Sequence, residues 1–128
     1  MTLREKQSLF VKNVGLLIAF AYEKGCEFTA GEMLRTQEMQ AIYFKTGRSK
    51  TMNSRHLVKL AVDFSIFKAG KLLFIDIKTM AQEIESVKEL GEYWISLHPD
   101  NVWGGDWDRD HTTLDETFKD PYHFEMKP

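Results

Sequence analysis

The apolar run "VGLLIAFAY" at residues 14–22 is the feature that most constrains the fold. Phe10 lies one helical turn before this run. Together with Val14, Leu17 and Ala21, it follows the spacing of one helical face. The run is about half as long as the ~20 apolar residues that span a bilayer. It also lacks the basic start and small-residue cleavage site of a signal peptide. We therefore expect a buried helix over residues 3–24, ended by Gly25, in a protein made in the cytoplasm.

Length and charge limit the remaining choices. A chain of 128 residues suits one domain, residues 1–128, with a sizeable core. The net charge is −2 and no block of like charges occurs, so attraction to nucleic acid or stable membrane association is not expected. Cys26 is the single cysteine, which excludes an internal disulfide and is compatible with a reducing compartment. The sequence thus predicts a monomer that is stabilised by packing or by a metal.

Two further segments predict helices. Residues 36–47 have Thr36 as a candidate N-cap, and Gln40 is expected to give weaker support as part of a capping box. In residues 78–98, apolar side chains recur at helical spacing, which predicts one continuous third helix.

The other regular patterns are those of strands. Residues 56–76 are rich in strand-forming side chains and are broken by Ala69 and Gly70, which predicts a hairpin. The segments "NVWGGDW" and "YHFEM" predict the last strands. Because helices and strands are segregated along the chain, we expect an α+β fold with a small antiparallel sheet flanked by helices.

Asp63 lies inside the apolar segment "LAVDFSIF". A charge in a core strand is costly unless it is paired, protonated or bound to a cation. His56 precedes it by seven positions, and residues seven apart in a regular strand point to opposite faces. The chain must therefore bend between them if both are to bind one metal. With His123, they would form a set of two imidazoles and one carboxylate, which suits zinc with its fourth position left to water.

Asp120 lies three residues before His123, where its carboxylate could take a proton from an attacking water. His98 and His111 have no comparable partners in the sequence. We expect His98 to lie at a helix end and His111 to be solvated in an acidic loop.

Four segments in this order resemble a known family: "LRTQEMQ" (34–40), "SRHLVKLAVDF" (54–64), "WGGDW" (103–107) and "DPYHFEM" (120–126). The family comprises the zinc D-Ala-D-Ala carboxypeptidases and dipeptidases and the phage L-alanyl-D-glutamate endopeptidases. The resemblance implies the fold shared by hedgehog proteins and D,D-peptidases, with a single zinc peptidase domain.

The resemblance also implies roles for individual residues. The ligands of Zn²⁺ would be His56, Asp63 and His123. Asp120 would be the general base, and Arg35 would stabilise the oxyanion, a role that suits a fixed cationic fork. Ser54 would hydrogen-bond the substrate, and Glu125 would orient a ligand imidazole.

Two features of the sequence favour the phage endopeptidase branch and one departs from the family. The base is Asp120 rather than the glutamate of the dipeptidases, and the chain is short. Many members have glycine where this chain has Lys59, which affects the bend between His56 and Asp63. The resemblance thus implies hydrolysis of a peptidoglycan stem peptide at an L-Ala–D-Glu bond. An endolysin of this kind would act on the bacterial cell wall after release from the cytoplasm.

Other functions remain open at this stage. A D,D-carboxypeptidase or D-Ala-D-Ala dipeptidase would share the metal ligands, and a non-catalytic zinc-binding module would share the fold. A basic loop for nucleic acid is less favoured, because four cations in an acidic protein more often form a solvated face: Arg48, Lys50, Arg55 and Lys59. An acidic segment offers calcium ligands without the spacing of an EF-hand, and a solvated loop is favoured there: Asp106, Asp108, Asp110, Asp115 and Glu116.

Overall fold

The computed structural model describes residues 1–112 and 120–128. Within them, the sheet contains β1 (Cys26–Ala30), β2 (Ala61–Lys68), β3 (Lys71–Leu72), β4 (Asn101–Trp103) and β5 (His123–Met126). The strand order is β1-β2-β5-β4, β3 also pairs with β2, and every pairing is antiparallel. The predicted α+β class, with an antiparallel sheet flanked by helices, is confirmed.

Helix α1 (Leu3–Glu23) begins with a capping box and ends where the sequence predicts. The backbone N–H of Glu5 donates to Thr2 Oγ1, and the N–H of Thr2 donates to the Glu5 carboxylate, both at 3.1 Å. Gly25 follows at a φ of +79°, a left-handed conformation that glycine adopts without strain. The described helices include none with the length and apolar character needed to cross a bilayer.

The core lies between α1, α4 (Lys88–Leu97) and the sheet. Trp94 is fully buried at its centre, and its ring packs edge-on against Phe10 and Phe124. Its indole N–H donates to the carbonyl oxygens of Val102 and Glu125, each at 3.1 Å. These bonds attach α4 to β4 and β5, so the strand that carries His123 rests directly on the core.

The predicted single helix over residues 78–98 is wrong, because the chain forms two helices there, α3 (Met80–Ser86) and α4. The break lies at Val87, whose φ of −115° is not helical. The Val87 N–H bonds to the Ile84 carbonyl, and the Leu90 N–H bonds to the Val87 carbonyl, which tightens the turn. Val87 is nevertheless buried, so the apolar spacing continues across the break. The hydrophobic pattern alone therefore does not reveal that the helix is interrupted.

Helix α2 (Gln37–Lys45) has the predicted N-cap, with Thr36 Oγ1 accepting from the Met39 N–H at 3.1 Å. The predicted part of Gln40 in a capping box is wrong. In a capping box, the side chain of the third helical residue bonds back to the N-cap backbone. That residue is Met39, and Gln40 lies one position further along the helix, where its side chain does not reach the Thr36 backbone. Gln40 is instead fully buried beside the loop that follows the helix.

The predicted hairpin is confirmed, with β2 and β3 joined by Ala69 and Gly70 at φ values of 53° and 76°. Two consecutive positive φ values are typical of the tightest hairpin turns.

The predicted bend between His56 and Asp63 is also confirmed. A short 3₁₀ helix, Arg55–Val58, is followed by Lys59 in the left-handed conformation (φ 57°, ψ 39°), and β2 begins two residues later. The non-strand geometry of this stretch lets two residues seven apart reach the same site.

Candidate metal centre

Three side chains converge where β2 meets β5. Asp63 and His123 are directly paired across the two strands, and Asp63 Oδ1 lies 2.9 Å from His123 Nδ1. The other carboxylate oxygen of Asp63 lies 3.3 Å from His56 Nε2. The three residues offer ligand atoms that all lie within 4.8 Å of one another. The structure thus brings the sequence-predicted ligands His56, Asp63 and His123 together.

Hydrogen bonds on the far side of each imidazole assign its tautomer. His56 Nδ1 lies 2.9 Å from the Met33 carbonyl oxygen, which only accepts, so Nδ1 donates and Nε2 carries the lone pair. His123 Nε2 lies 2.8 Å from Glu125 Oε1, so Nε2 donates to it and Nδ1 faces Asp63. Glu125 thereby has the orienting position that the resemblance implies.

This donor set fits a zinc ion. His56 Nε2 is buried and has no hydrogen-bond partner among the described residues, as a nitrogen reserved for a cation would be. Ligands about 2.1 Å from a tetrahedral zinc lie roughly 3.4 Å apart. The separations of 3.3 Å and 2.9 Å from Asp63 to the two imidazoles are close to that value. His56, Asp63 and His123 would hold the metal.

Without a cation the site favours a shared proton. Burial would raise the pKa of Asp63, but the interactions with His123 and His56 outweigh it and hold that pKa well below its usual range. Burial would lower the pKa of His123, but hydrogen bonds to Asp63 and Glu125 raise it to about 10. A bound metal ion must therefore displace a proton from His123.

Asp120 lies beside the three ligands, with Oδ2 4.0 Å from His123 Nδ1. Its other oxygen, Oδ1, is buried and has no hydrogen-bond partner among the described residues. Burial is the main reason that the pKa of Asp120 rises to about 6. A partly desolvated carboxylate beside a metal site is well placed to exchange protons with a water there.

Gly104 fixes the backbone of Asp120. The Asp120 N–H donates to the Gly104 carbonyl, and the Gly104 N–H donates to the His123 carbonyl, both at 2.9 Å. A Cβ on Gly104 would lie 2.0 Å from the Asp120 carbonyl oxygen. The glycine in "WGGDW" is therefore required for the close approach of the segment that carries Asp120.

Arg35 is held over the site by several polar groups. Nε and Nη2 contact Oε1 of Glu32, and Nη1 donates to Gln40 Oε1 at 2.7 Å and to Ser54 Oγ at 3.4 Å. Nη2 lies 4.0 Å from Asp63 Oδ2. The structure thus places the sequence-predicted Arg35 next to Asp63, one of the predicted metal ligands, with its fork fixed in orientation.

Ser54 is at the site but has a local structural role as well. Its hydroxyl accepts from the His56 N–H at 3.2 Å and so caps the short 3₁₀ helix. It also lines the cleft, which keeps its predicted contact with substrate sterically possible.

Sequence reasoning missed Glu32 and Tyr43. Glu32 neutralises Arg35, and the Tyr43 hydroxyl lies 3.4 Å from Glu32 Oε2. The Arg35 guanidinium lies 4.7 Å from the centre of the Tyr43 ring. The spacing of Glu32 three residues before Arg35 is a weak hint of this pair. Nothing local in the sequence points to Tyr43.

The site opens into a cleft of about 720 Å³. Its lining includes the segment after β3 and the loop after α2. Trp107 lines the cleft, with its ring centre 5.4 Å from that of His123. Lys59 is exposed and is not among the residues that line this cleft. A peptide segment could therefore lie across the three ligands without meeting Lys59.

The other two histidines and the acidic segment lie outside this centre. His98 Nδ1 accepts from the Asp100 N–H at 3.0 Å at the end of α4, and the exposed His111 pairs with Glu92 at 2.6 Å. Asp106 is buried and accepts backbone N–H groups from residues 110 and 111. Carboxylates of three residues in the acidic segment do approach one another, at Asp106, Asp108 and Asp110. The remaining two acidic residues considered for calcium, Asp115 and Glu116, lie outside the described residues.

Comparison with known proteins agrees with a peptidase site of this geometry. The crystal structure of the L-Ala D-Glu endopeptidase ChiX from Serratia marcescens is similar, with a TM-score of 0.60 and 26% sequence identity. The similarity covers 92% of this chain and 77% of that one. A search of curated proteins found no match. The family model described as phage L-alanyl-D-glutamate peptidase matches residues 17–127, so the chain belongs to the phage L-alanyl-D-glutamate peptidase family.

Proposed function

We propose that this protein is a zinc-dependent endopeptidase that hydrolyses the L-Ala–D-Glu bond of peptidoglycan stem peptides and so degrades the bacterial cell wall. The single observation that supports the zinc site is the convergence of two imidazole nitrogens and one carboxylate at His56, His123 and Asp63. Membership in the phage L-alanyl-D-glutamate peptidase family supports the bond that is cut. The similar ChiX structure is also that of an L-Ala D-Glu endopeptidase.

A zinc ion held by the three ligands would supply a Lewis acid and lower the pKa of a water nucleophile. Asp120 would take the proton from the attacking water, because its free Oδ1 is available at the site. The same carboxyl group would then give that proton to the departing nitrogen of the D-glutamyl residue. One side chain would thus serve as base and then as acid, and it would end each cycle ionised again.

Arg35 would stabilise the negative charge that develops on the scissile carbonyl oxygen. Its guanidinium lies 4.0 Å from a ligand oxygen of Asp63, and its contacts to Glu32 and Gln40 hold it in place before substrate binds. A fixed donor needs little reorganisation as the charge forms, which is why such groups lower the barrier. Ser54, which also lines the cleft and lies 3.4 Å from Arg35 Nη1, is proposed to hydrogen-bond the peptide backbone.

The open cleft favours an endopeptidase over a dipeptidase. A D-Ala-D-Ala dipeptidase has to enclose a short substrate, whereas this cleft extends from the site along both β2 and the loop after α2. The D,D-carboxypeptidase and dipeptidase alternatives remain the competing reactions. A non-catalytic module is disfavoured by the presence of both Asp120 and Arg35 beside the ligands.

We further propose that residues 1–128 act as one domain and as a monomer on the cell wall. Peptidoglycan would be reached after the protein leaves the cytoplasm through a membrane opened by another factor. The nearly neutral charge gives no reason to expect binding to nucleic acid or stable association with a membrane.

The deciding experiment is digestion of purified peptidoglycan with mass analysis of the fragments. New L-alanine carboxyl ends and D-glutamate amino ends that disappear with chelator and return with zinc would support the proposal. Parallel incubation with D-Ala-D-Ala and with a stem pentapeptide tests the competing reactions. Release of D-alanine alone, or cleavage indifferent to chelator, would refute it.

A further inference from the structure

Arg48 is a cation in the wall of the cleft to which the proposed chemistry gives no role. Its guanidinium lies 4.6 Å from the centre of the Tyr43 ring, the same ring that Arg35 contacts. Asp63, Arg35, Tyr43 and Arg48 thus form a continuous series of contacts that leads from the metal ligands along the cleft wall. Arg48 stands at the far end of that series.

The two arginines differ in how their charges are balanced. Arg35 is mostly buried and its charge is matched by Glu32. Arg48 is exposed to the cleft and forms no ion pair with any carboxylate among residues 1–112 and 120–128. Its fork is therefore available to an incoming anion, while its stacking on Tyr43 restricts its orientation.

The segment that carries Arg48 is attached to the catalytic side of the cleft by a buried amide. Gln40 accepts from Arg35 through Oε1, and its Nε2 donates to Ser49 Oγ at 2.9 Å and to the Thr51 carbonyl at 2.5 Å. The Ser49 N–H also donates to the Tyr43 carbonyl at 3.0 Å. Because Gln40 is fully buried, these bonds fix the loop after α2 relative to Arg35. Arg48 therefore belongs to a loop whose position is fixed by hydrogen bonds.

Charge at the centre of the cleft favours a subsite at this end. Four acids line the cleft near the metal ligands, at Glu32, Asp63, Asp120 and Glu125. The arginine at that centre, Arg35, is already matched by Glu32, so a substrate carboxylate would be attracted more strongly to the guanidinium of Arg48. A glutamate residue that is linked into a peptide through its side-chain carboxyl keeps its α-carboxylate free.

We propose that Arg48, held against Tyr43, is a specificity-determining residue that binds a free carboxylate of the stem peptide. This inference rests on the proposed endopeptidase function. It assigns to Arg48 the binding of an anionic substrate group and leaves the bond-breaking step to the residues at the metal centre.

The test compares Arg48→Gln, Arg48→Lys and the control Lys45→Gln on two synthetic stem peptides. Lys45 is an exposed cation at the end of α2 and does not line the cleft. One peptide has free carboxylates and the other has them amidated. We expect Arg48→Gln to raise KM for the acidic peptide by roughly ten- to a hundredfold with kcat nearly unchanged. Arg48→Lys should fall between, and the amidated peptide should show little difference among the variants.

An unchanged KM for the acidic peptide in Arg48→Gln, or an equal loss on both peptides, would overturn the subsite. Failure of the wild-type protein to cut either peptide would instead refute the proposed function. In that case, calorimetric titration of the same zinc-loaded proteins with the uncut acidic peptide decides the matter. Weaker binding by Arg48→Gln than by Lys45→Gln would support the carboxylate subsite, and equal or absent binding would refute it.

Discussion

Asp63 and His123 face each other on neighbouring strands, and their side chains meet at 2.9 Å between Oδ1 and Nδ1. The register of β2 and β5 therefore sets the separation of two of the three proposed ligands. Because β5 also packs on the core through Trp94, the proposed metal site is an extension of the folded sheet. Metal binding should for this reason report directly on the stability of the domain.

The first prediction concerns zinc binding. We expect His56→Ala to abolish stoichiometric zinc binding and activity, because the substitution removes one of the three proposed ligands, a buried nitrogen with no hydrogen-bond partner among the described residues. In the wild type, a hundredfold excess of free zinc over its Kd should add about 3 kcal/mol to the free energy of unfolding. Metal analysis and thermal melts with and without chelator measure both effects. His98→Gln, outside the site, should retain zinc, and a zinc-loaded His56→Ala protein would contradict the assigned ligand set.

The second prediction separates the base from the metal ligands. Asp120→Asn should lower kcat by roughly a hundred- to ten-thousandfold while zinc still binds, because the amide cannot accept the proton. Zinc content and single-turnover rates on the stem peptide are the measurements. Asp108→Asn, an exposed acid, is the matched control and should retain activity. Loss of zinc in Asp120→Asn would instead assign Asp120 to metal binding.

The same Asp120→Asn variant extends the second prediction to the metal-free protein, which should show the cost of burying Asp120. Burial raises the pKa of its carboxyl from 3.8 to about 6, so the folded state keeps a proton that the unfolded chain has lost. As pH rises from about 4 to about 6, the wild type should lose stability relative to Asp120→Asn, and the difference should stay constant at higher pH. We expect the variant to be more stable by roughly 3 kcal/mol at neutral pH. Urea unfolding in chelator across this pH range measures the difference, and an unvarying one would contradict the raised pKa.

The third prediction uses the fixed orientation of Arg35. Arg35→Lys should reduce kcat by roughly a hundredfold, because one ammonium group cannot contact Glu32 and Gln40 and still stabilise the oxyanion. Zinc content should not change. Arg4→Lys, on the exposed start of α1, is the control for the substitution itself. An Arg35→Lys enzyme with normal kcat would show that a positive charge is sufficient at this position and that the guanidinium fork is not needed.

The sequence could predict the site residues whose side-chain type is unusual for the surrounding segment. Asp63 is an acid in an apolar strand, and together with His56 and His123 it matches a metal-ligand set in a recognisable motif order. The bend between His56 and Asp63 also follows from strand geometry once both are assigned to one site. The α+β class, α1 and the hairpin at Ala69 follow from periodicity and turn chemistry.

What sequence could not predict depends on contacts between distant segments. The helix break at Val87 involves neither glycine nor proline, and the buried spacing continues through it. Gln40 has an amide that fits a capping box or a buried network equally well, and only the loop after α2 decides between them. The roles of Glu32 and Tyr43 in holding Arg35 can be recognised only from the three-dimensional position of Arg35.

The fourth prediction tests the close approach at Gly104. Gly104→Ala should destabilise the protein by about 2 kcal/mol or more and reduce activity, because its Cβ would lie 2.0 Å from the Asp120 carbonyl oxygen. The neighbouring backbone would have to move and would displace Asp120. Gly15→Ala in α1 is the control, because nothing lies within 4 Å of its Cβ, and alanine should stabilise that helix slightly. Equal stability of the two variants in urea unfolding would contradict the steric account.

The fifth prediction concerns the left-handed residue that makes the bend. Lys59 adopts φ 57° and ψ 39°, a conformation that costs a non-glycine residue about 1 kcal/mol and that glycine adopts freely. Lys59→Gly should therefore stabilise the protein by roughly 0.5–1 kcal/mol with activity unchanged, since Lys59 is exposed and does not line the cleft. Lys59→Ala separates the backbone effect from loss of the side chain, because alanine keeps the Cβ and should give no such gain. If both variants were equally stable in urea unfolding, side-chain removal rather than backbone strain would explain the change. If Lys59→Gly lost zinc while Lys59→Ala kept it, the restricted backbone at residue 59 would instead be needed to hold His56 and Asp63 together.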